Sequence, residues 1–364
     1  MTRPLTLVRV VGTRPQFMQV APLRRELARR GHRETLVHTG QHYDEAMSRL
    51  FFEDLCLEEP DVNLGIGSAG HGEQTGRMMG ALEQFLVDNP CDAVVVDGDT
   101  NSTLAGALVA SKMHIPLVHV EAGLRSSDRT MPEEINRVVT DHISSLLCAP
   151  TATAVANLAR EGLSEFTVRT GDLMYDCFLS FKGRARREIL AQLSVEPGGY
   201  FLATVHRAEN VDDPGRLQAI LGALAALDLP VIFPVHPRTR QRIDGSPARS
   251  GNLGALRLVG PVGYLEMLAL EAAAKCIFTD SGGVQREAFF WGVPSVVLRE
   301  VTEWRELLEG GWSVLAGWRR QKILDAYESL DGRYPEVPSQ VRDEIFGGGR
   351  AAGRVADAIE GLLS

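Results

Sequence analysis

The sequence predicts an α/β fold made of two doubly wound parallel sheets in tandem. Short apolar runs alternate with helical stretches in both halves of the chain, which is typical of βαβ units. Polar or glycine-containing segments follow several of these runs directly, and the carboxyl ends of parallel strands are where open α/β sheets bind ligands. The length of 364 residues is long for one such domain and suits two.

The first half begins as strand, helix and strand. Leu5–Val11 is apolar, a helix is expected over about Pro15–Arg30, and Thr35–Thr39 is the second predicted strand. Pro15 suits the first helical position because its φ is already near the helical value and its missing amide is not needed there. Later strands of this half are expected at Ala93–Val96, Pro116–Val120, Leu146–Cys148 and Phe166–Arg169.

The second half restarts the pattern at Phe201. Its predicted strands begin there and continue at Val231–Val235, Leu256–Val259, Cys276–Thr279 and Ser295–Leu298. The stretch from about Tyr175 to Gly199, between the two halves, is helical and basic, and it ends in a proline and two glycines. We therefore place the domain boundary in this stretch.

The resulting domains are 1–174 and 175–347, followed by a short alanine-rich helix at 348–364. We expect this last helix to pack back on the first domain. Two α/β domains in tandem would leave a cleft between their binding edges, and clefts at domain interfaces are preferred sites for small ligands.

The composition argues against several classes of protein. The formal net charge is −9 and no long basic run occurs, so no nucleic-acid partner is expected. No apolar run approaches the ~18 residues of a membrane helix, and no signal peptide precedes the first strand, so no membrane partner is expected. The five cysteines form no CxxC pair, which favours reduced thiols in a cytoplasmic protein.

Gly12-Thr13-Arg14-Pro15 is the first candidate anion site. It lies between a predicted strand and a helix, where free amides and the helix dipole attract an anion. Arg14 adds a bidentate donor suited to phosphate or carboxylate. An ordinary turn with a surface arginine explains the same residues equally well.

The segment from Asp280 to Glu287 is a stronger candidate anion site. Ser281 can cap the following helix, and Gly282 and Gly283 would let a diphosphate approach the helix amides. Glu287 follows one turn later and could accept hydrogen bonds from two adjacent hydroxyls, as on a ribose. The alternative is a capped helix with a solvated glutamate.

Two histidines follow strands of the second half at equivalent places. They are His206 and His236. A single histidine is more often structural, but the equivalent placement of these two favours phosphate contact.

Three carboxylates form the candidate acid–base set. Asp99 and Glu121 follow strands of the same sheet, and Glu133 comes directly after Pro132 at a predicted helix start. A carboxylate in a first helical turn is often only a partner of the helix dipole. If the three converge, they should raise each other's pKa, which is how acid–base groups are tuned.

These motifs make the chain similar to the non-hydrolysing UDP-N-acetylglucosamine 2-epimerases over nearly its whole length. The motifs that carry the resemblance are Gly12-Thr13-Arg14-Pro15, Thr39-Gly40-Gln41-His42, Gly98-Asp99-Thr100, His119-Val120-Glu121-Ala122-Gly123-Leu124-Arg125, Pro132-Glu133-Glu134-Ile135-Asn136-Arg137, His206-Arg207, Pro234-Val235-His236 and Asp280-Ser281-Gly282-Gly283. The resemblance implies a GT-B-like fold of two Rossmann-like domains with an interdomain cleft. It also implies a homodimeric isomerase that acts on a UDP-sugar without a nicotinamide or a metal.

The resemblance assigns a role to each candidate. Asp99, Glu121 and Glu133 would handle protons around the sugar, and His206 would join them as a catalytic residue. The groups implied for the diphosphate and its surroundings are Arg14, His206, His236, Ser281, Gly282 and Gly283. Glu287 would hold the ribose, and the stretch ending at Tyr264 would receive the uracil.

The implied reaction is epimerisation at C2 of the sugar, for surface polysaccharide or glycan precursors. The C2 proton is not acidic, so the implied route eliminates UDP to give a 2-acetamidoglucal and then adds UDP back with C2 inverted. The groups at the diphosphate stabilise the leaving group while the carboxylates move the proton.

Gln19 departs from the family pattern, which usually has a lysine there. We count Gln19 as a substrate-binding residue that supplies hydrogen bonds but no charge, which favours a neutral sugar. Gln16, the run Asn101-Ser102-Thr103 and the segment His206–Asn210 resemble instead the branch that acts on UDP-2,3-diacetamido-glucuronate. Both substrates therefore stay open.

Some members of the family are activated by a second UDP-sugar beside the active site. Gln41, His42 and Gln74 lie in segments that could form such an allosteric pocket, and we expect weak or no activation here. Two other functions also stay open: a GT-B glycosyltransferase, because fold alone does not fix function, and a UDP-sugar-binding regulator.

Overall fold

The computed structural model describes residues 3–41, 52–235, 237–245, 254–330, 332 and 334–364. Two of the candidate residues, His42 and His236, lie outside these ranges. Arg14 lies inside them, but its side chain does not belong to the described part of the molecule.

The chain folds as two compact units. The first comprises Met1–Ser180 and Asp343–Ser364, and the second comprises Phe181–Arg342. The C-terminal segment therefore returns to the first unit after the second unit has been completed.

The first unit is built on seven parallel strands. They are β1 (Thr6–Val11), β2 (Arg33–His38), β3 (Val62–Asn63), β4 (Ala93–Asp97), β5 (Leu117–Val120), β6 (Leu146–Ala149) and β7 (Thr167–Arg169). Their order in the sheet is β3-β2-β1-β4-β5-β6-β7. The helices before the second unit are α1 (Arg14–Arg29), α2 (His71–Asp88), α3 (Asn101–Lys112), α4 (Pro132–Ile143), α5 (Ala152–Arg160) and α6 (Leu173–Phe181).

The second unit is built on six parallel strands. They are β8 (Phe201–Thr204), β9 (Val231–Pro234), β10 (Leu256–Val259), β11 (Cys276–Thr279), β12 (Ser295–Val297) and β13 (Ser313–Leu315), in the order β10-β9-β8-β11-β12-β13. The next helices are α7 (Glu188–Gln192), α8 (Ala208–Val211), α9 (Pro214–Leu224), α10 (Pro237–Asp244), α11 (Tyr264–Ala273), α12 (Gly282–Trp291), α13 (Arg305–Glu309), α14 (Arg320–Leu330), α15 (Ser339–Phe346) and α16 (Ala351–Leu362).

The prediction of two parallel sheets is confirmed. The predicted strands are all present, with ends that agree to within two residues. Two strands were not predicted, Val62–Asn63 and Ser313–Leu315. Both lie at sheet edges and are only two or three residues long, which is too short for a recognisable alternating pattern.

The first sheet is covered by apolar side chains on both faces. Successive residues of β4 alternate between two separate core clusters, with Val95 in one and Val94 in the other. Val355 and Ile359 of α16 belong to the same cluster as Leu23 of α1. The C-terminal helix thus completes one face of the first sheet.

Each sheet has one switch point, where the strand order reverses direction. It lies between β1 and β4 in the first unit and between β8 and β11 in the second. Ligands of doubly wound folds bind outside the carboxyl ends of the strands at such points. In the described ranges, no helix combines the length and the apolar character that crossing a membrane requires.

Candidate functional site

The switch point of the first unit is held together by Gln16. Its side-chain oxygen accepts hydrogen bonds from the amides of Gly12, at 2.8 Å, and Thr13, at 3.0 Å. Its side-chain nitrogen donates to the carbonyl of Asp97, at 2.8 Å, where β4 ends. The amides of Gly12 and Thr13, which precede α1, are therefore not available to an anion, because the chain itself supplies their acceptor.

Gly12 is required by a close approach between the same two loops. A Cβ at this position would lie 1.8 Å from Oγ of Ser102 and 2.8 Å from Oγ1 of Thr39. Ser102 belongs to the first turn of α3, so the start of this helix lies directly against the end of β1. The glycine of the motif has a packing role that does not depend on any ligand.

Asp99 follows β4 and is anchored by Arg137 of α4. Nη2 of Arg137 lies 2.5 Å from Oδ2 of Asp99, and Nη1 lies 2.8 Å from Glu134. The side-chain amide of Asn136 donates to the carbonyl of Asp99 at 2.9 Å. The Asp99 side chain remains 26% exposed while that of Arg137 is 2% exposed, so a buried cation orients a carboxylate that solvent or a ligand can reach.

The two glutamates after Pro132 have different surroundings. Glu134 is buried and accepts hydrogen bonds from the amides of Ser126, at 2.9 Å, and Ser127, at 3.0 Å. It therefore fixes the loop before α4. Glu133 lies in the first turn of α4, as predicted, and is partly exposed, so it keeps its place as the third candidate carboxylate.

Glu121 is the first residue after β5 and adopts the left-handed conformation, with φ of 69°. Non-glycine residues in this region are uncommon and often occur at functional sites. One of its carboxylate oxygens accepts a hydrogen bond from the side-chain nitrogen of Gln19. The other oxygen lies 3.8 Å from the point that a Cβ of Gly98 would occupy, so Glu121 adjoins the turn that leads to Asp99.

Gln19 is buried in α1 and directed at Glu121. Only 5% of the residue is exposed, and within the described ranges its side-chain oxygen has no hydrogen-bond partner. The amide thus orients the carboxylate without adding a charge. Gln19 and Glu121 therefore lie beside the Gly98 turn that leads to Asp99.

His119 supports the same turn from inside the sheet. Its Nδ1 lies 2.7 Å from Oδ1 of Asp141, and its Nε2 lies 2.8 Å from the carbonyl of Gly98. Both neighbours are acceptors, so both ring nitrogens must donate and the ring carries a positive charge. Burial by itself would lower the pKa of His119, but the Asp141 carboxylate outweighs burial and the pKa is raised.

The switch point of the second unit is held together by Asp280. Its carboxylate accepts hydrogen bonds from the amides of His206, at 3.1 Å, and Arg207, at 3.0 Å, and from the side chain of Asn210, at 3.0 Å. This ties the loop after β8 to the end of β11. The His206 side chain is 51% exposed beside Asp280, so a ligand can reach it.

Ser281 caps α12, as predicted, because its Oγ accepts from the amide of Val284 at 3.4 Å. The amides of Gly282 and Gly283 lie in the first turn and have no acceptor within the helix. Gly282 is also a packing requirement, since its Cβ would lie 2.8 Å from Oε1 of Glu303. The start of α12 is therefore suited to an anion, although steric demand alone also explains Gly282.

Glu287 and Tyr264 are both buried. Glu287 is 3% exposed, which excludes the alternative of a solvated glutamate. Tyr264 is 4% exposed, and its ring packs edge-on against Phe181 with 6.3 Å between centroids. The ring of Tyr264 is thus covered by protein, and a role in binding uracil stays a prediction.

Gln41 and Gln74 both contact the beginning of α3. The Gln41 side-chain oxygen accepts from Oγ of Ser102 at 2.7 Å, and that of Gln74 accepts from the side chain of Asn101 at 2.9 Å. Both glutamines thus have partners inside the first unit. Their allosteric role stays a prediction.

Four residues that position the candidates have no role that the sequence patterns predict: Gln16, Arg137, His119 and Asp141. Arg137 and His119 lie in motifs that were recognised, but nothing local indicates that their partners are Asp99 and Asp141. Asp141 is 22 residues from His119 and carries no signal of its own.

Most of the chain is similar to proteins of one known family. The family profile described as UDP-N-acetylglucosamine 2-epimerase matches residues 25–360. The UDP-2,3-diacetamido-2,3-dideoxy-D-glucuronate 2-epimerase of Pseudomonas aeruginosa is 43% identical, over 98% of this chain and 100% of that protein.

Two solved structures bear on the fold. UDP-GlcNAc 2-epimerase of Methanocaldococcus jannaschii, in complex with UDP-GlcNAc and UDP, has a TM-score of 0.90 and 42% identity, and the match covers 97% of this chain and 99% of the other. The calicheamicin glycosyltransferase CalG4 has a TM-score of 0.55 and 18% identity, with 99% and 98% covered, and is informative for the fold alone. The GT-B-like fold class is confirmed.

The charged His119 generates a prediction about pH. Because its pKa is raised above 6.5, its proton stabilises the native state fully below about pH 6.5, and this stabilisation is lost as pH rises through the higher native pKa. We expect His119→Gln to lower the free energy of unfolding by about 1–3 kcal/mol at low pH, because Asp141 loses one of its two buried cationic partners and keeps Arg125 at 2.7 Å. The difference in free energy of unfolding between wild type and His119→Gln should become smaller as pH rises.

Urea unfolding over a pH series measures this gap. His142→Gln is the control, because the His142 side chain is 45% exposed and its gap should be small throughout. A gap for His119→Gln that stays constant across the series would contradict a charged His119.

Proposed function

The chain belongs to the UDP-N-acetylglucosamine 2-epimerase family, and we propose that it epimerises C2 of a UDP-2-acetamido sugar, as in conversion of UDP-GlcNAc to UDP-ManNAc. The observation that carries the proposal is the pair of oriented carboxylates at the first switch point. Asp99 is held by Arg137, and Glu121 is held by Gln19. Family membership supplies the substrate class, and these carboxylates supply groups that can move protons.

The proposed route begins with elimination. The bond between C1 and the diphosphate oxygen breaks, the electron pair leaves with UDP, and a carboxylate takes the C2 proton, which leaves a 2-acetamidoglucal. UDP then adds back to C1 while a proton is delivered to the opposite face of C2. The proton and the UDP that the elimination removes are both added back to the sugar, so no oxidant or reductant is consumed.

The second unit is proposed to bind the UDP part. Ser281, Gly282 and Gly283 place first-turn amides at the positive end of α12, which stabilises charge on the leaving diphosphate. His206 is exposed on the adjoining loop and can donate to the same group. Arg14 and His236 are proposed as further phosphate contacts from their motifs alone.

The first unit is proposed to handle the protons. Arg137 and Gln19 hold Asp99 and Glu121 in fixed orientations, and proton transfer depends on such positioning because the transferring groups must lie within hydrogen-bond reach. Glu133 is the third proposed member. Its exposure at the start of α4 leaves its carboxylate accessible.

The sugar is proposed to be neutral, because Gln19 places an uncharged amide against Glu121. A uronate substrate is the second candidate, and the 43% identity to the P. aeruginosa enzyme favours it. The two are separated by assaying both UDP-sugars with the same preparation. In either case, a role in supplying precursors of surface polysaccharide or other glycans is part of the proposal.

Two other functions would give different results in the same assay. A glycosyltransferase would need an added acceptor before it converted a UDP-sugar. A UDP-sugar-binding regulator would bind UDP in calorimetry and convert none of the 2-acetamido sugars. Epimerisation without an acceptor contradicts both.

Five cysteines in the described ranges carry no disulfide, namely Cys56, Cys91, Cys148, Cys177 and Cys276. Free thiols persist in reducing compartments, and this supports the cytoplasm as the proposed location. Fractionation of cells that produce the native protein tests it.

Heavy water tests the elimination step. Because the C2 proton is removed and replaced from the protein or solvent, substrate and product recovered from D₂O should both carry deuterium at C2. Mass spectrometry and NMR measure the incorporation. Turnover with no exchange at C2 would rule out the proposed route.

The carboxylates should be far more important than a surface acid. We expect Asp99→Asn, Glu121→Gln and Glu133→Gln each to lower turnover by roughly 10²-fold or more, the usual scale for acid–base groups. Binding of UDP should persist, because none of the three carboxylates is a proposed contact of UDP. Steady-state rates and calorimetry measure the two effects.

A matched control is available on α2. Glu73 has a side chain that is 65% exposed, and Glu73→Gln should leave turnover unchanged. Wild-type rates in all three carboxylate variants would remove the proposed acid–base set.

A homodimer is proposed through the outer face of α4. Ile135 is 49% exposed, and Val138 and Val139 are only partly buried about one turn further along the same helix. Exposed apolar faces of this kind mark association surfaces. Ile135→Lys should shift the mass measured by light scattering from twice the 39.7 kDa chain towards the single chain.

Tyr334→Lys is the control for that experiment. Tyr334 is 40% exposed in the second unit, so its replacement should leave the mass unchanged. A monomeric wild type, or a dimer that persists in Ile135→Lys, would contradict the proposed interface.

A further inference from the structure

Glu271 is a buried carboxyl that the proposed reaction does not use. It lies in α11 with 0% exposure, and its neighbours in the chain, Leu270 and Ala274, belong to an apolar core cluster. Within the described ranges, no backbone amide, hydroxyl or basic side chain donates a hydrogen bond to either of its oxygens. An ionised carboxylate in such surroundings is strongly disfavoured, so Glu271 is a neutral acid.

Glu287 of α12 is a titratable partner of Glu271. The two side chains are hydrogen-bonded to each other, and burial first and Glu287 second raise the pKa of Glu271 well above its usual range. Two carboxyl groups can share a hydrogen bond only if one of them carries a proton. The pair therefore holds one proton and one negative charge.

The charge belongs on Glu287. Glu271 is the more deeply buried of the two and lies among apolar side chains, whereas Glu287 is 3% exposed and is the residue proposed to meet the ribose hydroxyls. A hydroxyl donates to a carboxylate more strongly than to a neutral acid. The proton on Glu271 thus leaves Glu287 as the ionised acceptor for the ribose hydroxyls.

We propose that Glu271 is a positioning residue for nucleotide recognition: its O–H donates to the Glu287 carboxylate and fixes the direction in which Glu287 faces the ribose of a nucleoside diphosphate. The inference rests on the proposed binding of UDP by the second unit. Glutamate has three rotatable side-chain bonds, and a hydrogen bond to an ionised group is strong enough to select one orientation. A fixed carboxylate then discriminates between a ribose with both hydroxyls and one that lacks the 2′-hydroxyl.

Two variants separate positioning from packing. Glu271→Gln keeps the shape of the side chain and donates an N–H to Glu287, whereas Glu271→Leu fills the apolar site but donates nothing. Calorimetry on each protein with UDP and with 2′-deoxy-UDP gives the ratio of the two dissociation constants. A purely structural defect weakens both ligands equally and leaves this ratio unchanged.

We expect wild type and Glu271→Gln to prefer UDP by about tenfold or more, because the analogue leaves a buried acceptor without its donor. We expect the ratio to fall to within about threefold in Glu271→Leu, since Glu287 then lacks the donor that directs its carboxylate at the ribose. A wild-type ratio in Glu271→Leu would overturn the proposal, and so would a lost preference in Glu271→Gln.

A second measurement does not depend on the stability of the leucine variant. The infrared spectrum of wild type at neutral pH should contain the C=O stretch of a protonated carboxylic acid that Glu271→Gln lacks, and absence of that band would overturn the proposal. If wild type binds UDP without preferring it to the deoxy analogue, this inference fails while the proposed function stands. If wild type binds no UDP, the proposed function fails as well.

Discussion

At each switch point, one buried side chain holds together the loops that follow two neighbouring strands. Gln16 links the end of β1 to the carbonyl of Asp97, and Asp280 links the end of β11 to the amides of His206 and Arg207. Beyond the strand ends no sheet ladder remains to pair these loops. Without the two side chains, buried loop amides would lose their acceptors, at about 1–3 kcal/mol each.

The two side chains, Gln16 and Asp280, differ in chemistry for a physical reason. Gln16 accepts from two amides and donates to a carbonyl, and an amide side chain can do both whereas a carboxylate can only accept. Asp280 receives donors alone, two from the backbone and one from Asn210, so a carboxylate serves there. The loops at the two switch points are thus linked by different side chains, and the choice depends on whether a neighbouring carbonyl also needs a donor.

The candidate carboxylates are positioned by buried charges and amides behind them. Arg137 fixes Asp99, and the charged His119 fixes the Gly98 turn. Buried ion pairs add little net stability compared with apolar side chains of the same size, yet breaking one costs about 3–5 kcal/mol. These networks are therefore better understood as fixing geometry than as stabilising the fold, and the same reasoning applies to the proton shared by Glu271 and Glu287.

The sequence by itself determined the two parallel sheets, nearly all of their strands, the Ser281 cap and the helix start before Glu133, because periodicity and capping act over a few residues. Only the tertiary structure decided which side chains position the candidates. Gln16 meets Asp97 across 81 residues, Gln19 meets Glu121 across 102, and Arg137 meets Asp99 across 38. Such partners come together through strand order and loop path, and local patterns carry no record of them.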